Sequence, residues 1–358
     1  MSGKNEIAFS PARPLFAIPI ALGLLLLLSL IPTASAVIMI NSCDFAASTA
    51  YETYVVAAPT MACLGTNGVN VLANGITIDF NNSGFSLAVT GGTEAGVFIA
   101  SGVVNTTIMG NQSAAAIHLT GFPSNIWANT TSNVSIWNMT MRSKAPTNNQ
   151  ISMNSTHRFE IKNTTFVDAP PRQMYIQGSD DGVIENFTSP AGTSRLALVA
   201  NSTFVRFSNF THQRATTTTL FDIQDSNYTT FTSFTLGNTS AGLIAQDAAS
   251  TYIILQGSRW SNITSSAFAN ASKAAILVNQ SNHSLLFNLT FWNNSGSSLL
   301  VDGIAASAEN NTFSNLTIRD SATGTGIMVQ GQLAKNNTIL NSTIANVSIG
   351  IELSGGGN

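Results

Sequence analysis

Ile136-Trp137-Asn138-Met139-Thr140-Met141 is one copy of a phrase, apolar-x-Asn-x-Thr-apolar, that recurs to the end of the chain. It returns as Ile161-Lys162-Asn163-Thr164-Thr165-Phe166, Ile184-Glu185-Asn186-Phe187-Thr188, Phe207-Ser208-Asn209-Phe210-Thr211, Leu286-Phe287-Asn288-Leu289-Thr290-Phe291, Phe313-Ser314-Asn315-Leu316-Thr317-Ile318 and Ile339-Leu340-Asn341-Ser342-Thr343-Ile344. Degenerate copies at Ile78, Ile108, Phe231 and Leu255 fill the gaps. The anchor therefore recurs at intervals of roughly 23 to 31 residues, the period of a solenoid.

Each phrase is followed by a second short run with period-two alternation, which puts one set of side chains inside and the other outside. Examples are Val97-Phe98-Ile99, Ile117-His118-Leu119, Ile151-Ser152-Met153, Met174-Tyr175-Ile176, Leu196-Ala197-Leu198, Phe221-Asp222-Ile223, Ile276-Leu277-Val278 and Ile351-Glu352-Leu353. Two strands per period and a third short one make one turn. No helical stripe is found after residue 40, no leucine-rich spacing and no propeller signature. The reading is all-β: a right-handed parallel β-helix of roughly ten to eleven coils, stacked at about 4.8 Å.

The Asn of the phrase has a physical reason. Asn tolerates a left-handed backbone, and identical amides on stacked coils can hydrogen-bond to one another. Asn138, Asn163, Asn186, Asn209, Asn288, Asn315 and Asn341 are expected to form such a structural column, broken at Ser233 and Gly257. These seven are also Asn-x-Thr sequons, among about two dozen Asn-x-Ser/Thr acceptors in the chain. An amide buried in a ladder cannot carry a glycan, so the candidate glycosylation sites are Asn129, Asn154, Asn238, Asn270, Asn279 and Asn293 in spacers.

Only 9% of residues are charged and the formal net charge is -3, so no basic footprint for nucleic acid exists. Lys4 and Arg13 precede an apolar run from Leu15 to Ile31, then Pro32 and the small-residue exit Ala34-Ser35-Ala36. This is the layout of a signal peptide over residues 1–36, with the β-helix over 37–358. An uncleaved membrane anchor is the alternative, and either places the repeats outside the cytoplasm. Cys43 and Cys63 are the only cysteines, and their pairing in an oxidising compartment closes the first coil.

The Cys43–Cys63 segment, the run Val71-Leu72-Ala73-Asn74-Gly75-Ile76-Thr77-Ile78-Asp79-Phe80 and the Asn133-Val134-Ser135-Ile136-Trp137-Asn138 coil together resemble the right-handed parallel β-helix repeat proteins. That superfamily includes pectin lyase-like enzymes, tail-spike proteins and NosD-like periplasmic proteins. The resemblance implies a fold far more firmly than an activity. Its pectate lyase members imply acidic residues on neighbouring coils holding calcium, with an Arg as base. Asp180, Asp181 and Asp225 are the candidate catalytic carboxylates on that pattern, with Asp247 and Asp302 at later corners and Arg172 and Arg195 one coil either side of Asp180 and Asp181. Its polygalacturonase-like members imply a Gly-His-Gly and an Arg-x-Lys motif, neither of which surrounds His118, His157, His212 or His283. Copper, implied by the NosD type, finds scattered His, and Met139, Met141, Met153 and Met174 read as core filler. No metal site or cofactor is assigned, calcium being the one cation the acidic corners leave open.

Alternation sends Trp137, Tyr175 and Phe287 outward, where aromatic faces suit sugar rings. Trp127, Trp260 and Trp292 fall in spacers, and Lys162 and Glu185 are expected to pair across the sheet. The last run, Ile351-Glu352-Leu353, lacks an amphipathic cap, so the expectation is either a truncated fragment or a terminal coil that stacks on a partner or, by self-association, on another copy. The functional expectation is a secreted or surface-displayed structural or adhesive protein that contacts polysaccharide or surface glycans. A polysaccharide lyase or hydrolase, and a self-assembling fibre or sheath subunit, are the alternatives.

Overall fold

The computed structural model describes residues 37–56, 60–63, 67–80, 86–89, 95–110, 117–118, 124–142, 149–167, 172–189, 195–212, 219–236 and 251–355. None of these is helical. The segment 1–36, Asn238 and Asp247 lie outside them, as do the side chains of His118 and His212.

The chain winds as a parallel β-solenoid of about ten turns. One file of strands includes Ser124–Asn129, Asn149–Asn154, Arg172–Gln177, Ala197–Ala200, Phe221–Gln224 and Thr251–Gln256. We call it the first sheet. The second sheet includes Ser132–Trp137, His157–Lys162, Asp180–Glu185, Thr203–His212 and Thr230–Leu236, and carries the anchor phrase. A third, short file begins after the Asn, as in Thr140–Arg142 and Thr165–Phe166, and continues in the later halves of the longer strands. Every pairing is parallel and joins a residue to its counterpart one coil on, as Val134 to Phe159 and Ile136 to Ile161.

Alternation holds the inward rows apolar. Ile136, Ile161, Ile184, Phe207 and Phe231 stack as one column, all fully buried. At mid-rod the filling is phenylalanine: Phe187 stacks on Phe210 at 4.3 Å and Phe207 on Phe231 at 5.1 Å. Each buried ring contributes about 1.5–3 kcal/mol of transfer free energy. Phe159 is accommodated because Gly182 lies on the next coil; a Cβ there would come within 2.1 Å of the ring. Met139, Met141, Met153 and Met174 are also core.

The corner between the first and second sheets holds an ordered column that the anchor phrase does not mark. Thr156, Ser179, Ser202, Ser226, Ser258 and Ser281 are buried one above the other. Each serine hydroxyl accepts an amide N–H from the coil before it, at 3.0 Å from Thr156 to Ser179 and 3.1 Å from Ser179 to Ser202, and so on to Ser281. The hydroxyl also donates to a nearby carbonyl, so a polar corner is buried without loss.

Several sequence expectations are corrected here. Ile117–His118 pairs with Met141–Arg142 in the third file, and the first-sheet place goes to Ile126-Trp127-Ala128. Leu255 likewise belongs to the first sheet, beside Ile223 and Val278, so Gly257 is no break in the Asn column; Ile263 is that coil's anchor and Ser265 its corner. In the Leu196-Ala197-Leu198 run, Leu198 shares the outward row of Tyr175 and Asp222, while Ala197 takes the inward place beside Met174. Lys162 pairs with Glu160 along its own strand at 3.2 Å rather than with Glu185, which accepts from Asn209 instead.

The Asn column itself is present, but its ladder is short. Asn163 Nδ2 donates to Asn138 Oδ1 at 3.1 Å and Asn186 Nδ2 to Asn163 Oδ1 at 3.2 Å. Asn209 then turns to Glu185, and Asn288 reaches Ser265 Oγ at 3.4 Å. Asn186, Asn209, Asn288, Asn315 and Asn341 are exposed, so the expected burial of the amides fails. What the whole column shares is a left-handed backbone, φ 46–60° including Ser233 and Ser265. That conformation costs most residues about 1–2 kcal/mol and Asn much less.

Cys43 and Cys63 form a disulfide with Cα atoms 5.4 Å apart. It joins the first two described coils and contributes roughly 3 kcal/mol by restricting the unfolded chain.

Candidate functional site

The outward row of the first sheet runs Phe98, Trp127, Ser152, Tyr175, Leu198, Asp222, Ile254. Trp127 is thus a strand residue, not a spacer residue, held edge-on by Phe98 at 5.6 Å. Between it and Tyr175 stands only Ser152, which leaves two aromatic side chains two coil rises, roughly 10 Å, apart over a small floor.

Asp222 is the anomaly in this row. It is a carboxylate flanked in the row by Leu198 and Ile254, and only 5% exposed. Its Oδ2 receives the Arg195 guanidinium at 3.3 Å and the Gln224 amide at 3.0 Å. Its Oδ1 is buried with no partner.

Arg172 sits one coil from Arg195, the Gln173 N–H donating to the Arg195 carbonyl at 3.1 Å. The Arg172 guanidinium lies 4.8 Å from the centre of the Tyr175 ring, a cation–π contact. Its Nε is buried without a partner. Burial lowers the Arg172 pKa from its ordinary value, with Arg195 adding to the effect and Tyr175 and Asp222 opposing it. The Tyr175 hydroxyl donates to Gln177 Oε1. Two guanidinium groups on adjacent coils, one of them paired with Asp222 and the other over the Tyr175 ring, thus stand with one carboxylate and two amides. Such a set can bind an anionic group with a sugar ring against Tyr175.

The residues singled out from sequence are distributed differently. Trp137 and Phe287 occupy the same outward row of the second sheet, 38% and 39% exposed, but six coils apart. Tyr175 is on the first sheet, half-buried. The three do not form one surface. Asp180 meets His157 at 2.8 Å, and Asp181 meets Arg206 at 3.5 Å and Arg158 at 3.8 Å. Asp225 lies two coils on, at the corner that ends a first-sheet strand, with φ 49°. Among the described residues no three His, Cys, Asp or Glu side chains come together in a metal-holding group. Asn129, Asn154, Asn270 and Asn279 are half-buried, and Asn293 is exposed and donates to Asn270 at 2.7 Å.

No protein-family model matches the chain, and no curated protein does. Solved structures do. The A-module of one mannuronan C-5 epimerase of Azotobacter vinelandii superposes with TM-score 0.55 at 11% identity, over 83% of this chain and 89% of that one. The likeness is one of fold. A second mannuronan C-5 epimerase A-module from the same organism gives TM-score 0.49 at 13% identity, over 87% and 90%. An alginate lyase from a Paenibacillus species gives 0.42 at 13%, over 86% and 99%.

Sequence reasoning noticed Arg172 and Arg195 only as neighbours of Asp180 and Asp181, and passed over Asp222. A detectable signal existed: a charged residue in the outward slot of a strand whose neighbours in the row, Leu198 and Ile254, are apolar. An exposed ring ladder was also missed. Phe204 stacks on Tyr228 at 4.7 Å, Tyr228 on Trp260 at 6.4 Å and Trp260 on His283 at 4.3 Å, all with positive φ. Other coils place Asn105, Asn133, Asn310 and Asn336 there. Stacking offsets the left-handed strain that bulky residues carry.

Proposed function

We propose that this is an exported β-solenoid that contacts an acidic polysaccharide through the outer face of its first sheet. Export rests on the apolar run before residue 37 and the Cys43–Cys63 disulfide. The observation that carries the ligand is the Arg172–Arg195 pair with Asp222 as its one carboxylate, which leaves a positive charge against Tyr175. Trp127 and Tyr175 would hold sugar rings, and Gln177 and Gln224 would take hydroxyls. The role is adhesive or structural.

A second reading, cleavage of the bound chain by a lyase or hydrolase, is favoured by one observation. Arg172 and Asp222 are desolvated and each keeps an unpartnered polar atom in the same cluster, the condition in which active-site groups are usually found.

Affinity electrophoresis of the secreted protein in gels containing alginate, polygalacturonate or a sulfated glycan tests the first reading. Retardation by at least one acidic glycan, lost in Arg172→Ala, is the expected result; no retardation by any would end it. Assay of the same mixtures for unsaturated or reducing ends decides the second, since binding without product excludes cleavage of those glycans.

A further inference from the structure

A second hollow lies on the outer face of the second sheet, away from the arginine cluster. Its outward row runs Ser135, Glu160, Val183, Arg206 on successive coils. Ser135 and Val183 are short, whereas the rows on either side are long: Arg158 and Asp181 at the corner, and Trp137, Lys162 and Glu185 two residues along the strands. The consequence is a hollow of about 360 Å³ lined by Asn133, Ser135, Arg158, Glu160, Asp181 and Val183. Trp137 stands exposed on the same outward side as Ser135, two residues further along the same strand.

The charges around this hollow are paired with one another. Asp181 takes Arg158 and Arg206, Glu160 takes Lys162 at 3.2 Å, and Asp180 takes His157. A charged ligand would have to break such a pair to gain one. Paired carboxylates and guanidiniums still offer acceptors and donors to hydroxyl groups, and an exposed indole offers an apolar face to the C–H side of a sugar ring.

We propose that this hollow, with Trp137, is a second saccharide site, and that its ligand is a neutral glycan. It goes beyond the acidic-glycan reading and stands on different residues, on the other sheet. With both sites occupied, the solenoid would bridge two chemically different polysaccharides.

The test is affinity electrophoresis of the full secreted chain in gels holding a neutral β-glucan, α-glucan or mannan, beside the acidic gels. Retention by at least one neutral glycan is expected. It should weaken at least tenfold in Trp137→Ala and in Val183→Trp, which fills the hollow, while acidic-glycan retention is unchanged. Arg172→Ala should leave neutral retention intact. Absence of neutral retention in the unmodified chain, retention that survives both substitutions, or its loss in Arg172→Ala would each overturn the proposal. The unmodified chain gives an independent reading should a variant not fold. Oxidation of Trp137, mapped by peptide mass spectrometry, should slow at least threefold with the retained glycan, and that of exposed Trp260 should not. Equal rates at Trp137 with and without glycan would likewise overturn it.

Discussion

The two outward faces use their charged groups in opposite ways. On the second sheet, Asp180 pairs with His157, Asp181 with Arg158 and Arg206, and Glu160 with Lys162, all in solvent with side chains 35–63% exposed. On the first sheet Asp222 is almost fully covered and Arg172 has no ion pair among the described residues. Exposed pairs in high dielectric are worth about 0–1 kcal/mol and leave little unbalanced charge. On the first sheet the one covered carboxylate is taken by Arg195, which leaves a local positive excess at Arg172. The same residue types therefore make a near-neutral surface on one side and a locally positive one on the other.

The largest expected effect tests that contrast directly. Arg172→Ala with Arg195→Ala should weaken acidic-glycan binding about 100-fold, the loss of two charge-assisted contacts of roughly 1.5–3 kcal/mol each at the lower end. Arg158→Ala with Arg206→Ala on the other face should change it less than threefold. Gel retardation over a range of glycan concentrations gives both numbers.

A smaller effect concerns stability. Asp222→Asn should cost about 1–3 kcal/mol in urea unfolding, because the charge-assisted contact to Arg195 is lost in a covered site. Asp181→Asn should cost less than about 0.5 kcal/mol, since its pairs are exposed. Equal losses at the two positions would remove the distinction between the faces.

Salt should separate them too. Raising ionic strength from 0.05 to 0.5 M shortens the screening length to a few ångströms, so acidic-glycan retention should fall at least tenfold while neutral-glycan retention changes less than twofold.

The corners, which lie on neither face, touch stability alone. Asn163→Ala should cost about 1–2 kcal/mol through its left-handed backbone. Ser265→Asn should gain a few tenths, because Asn is better suited to that backbone and Asn288 already reaches toward the site. Both are read from thermal or urea midpoints.

Much of this architecture was legible in the chain. The repeated Asn marks a left-handed corner that Ala or Leu would strain, so its spacing reports the turns of the solenoid even where the amide ladder fails. The buried serine column was legible in principle, as Ser179, Ser202, Ser226, Ser258 and Ser281 each follow a first-sheet strand by a fixed step, but a serine after a strand also fits any ordinary turn. Leu255 was given to the wrong sheet because both sheets carry the same alternation, and Leu198 was misplaced for a sharper reason. Strand period is two, so a shift of one residue exchanges inside for outside, and apolar side chains occupy both sides of this sheet.

The sequence by itself determined that the chain coils, which strands carry the core, where the backbone turns left-handed and which two cysteines close the first coil, because each of these depends on local periodicity or on residues with no alternative partner. Only the tertiary structure decided which polar residues meet. Arg172, Arg195 and Asp222 lie 23 and 27 residues apart in the chain, across spacers of unequal length, and they converge only because stacking sets one coil's register against the next. The same stacking separates Tyr175 from Trp137, which the alternation alone had placed on a common outside.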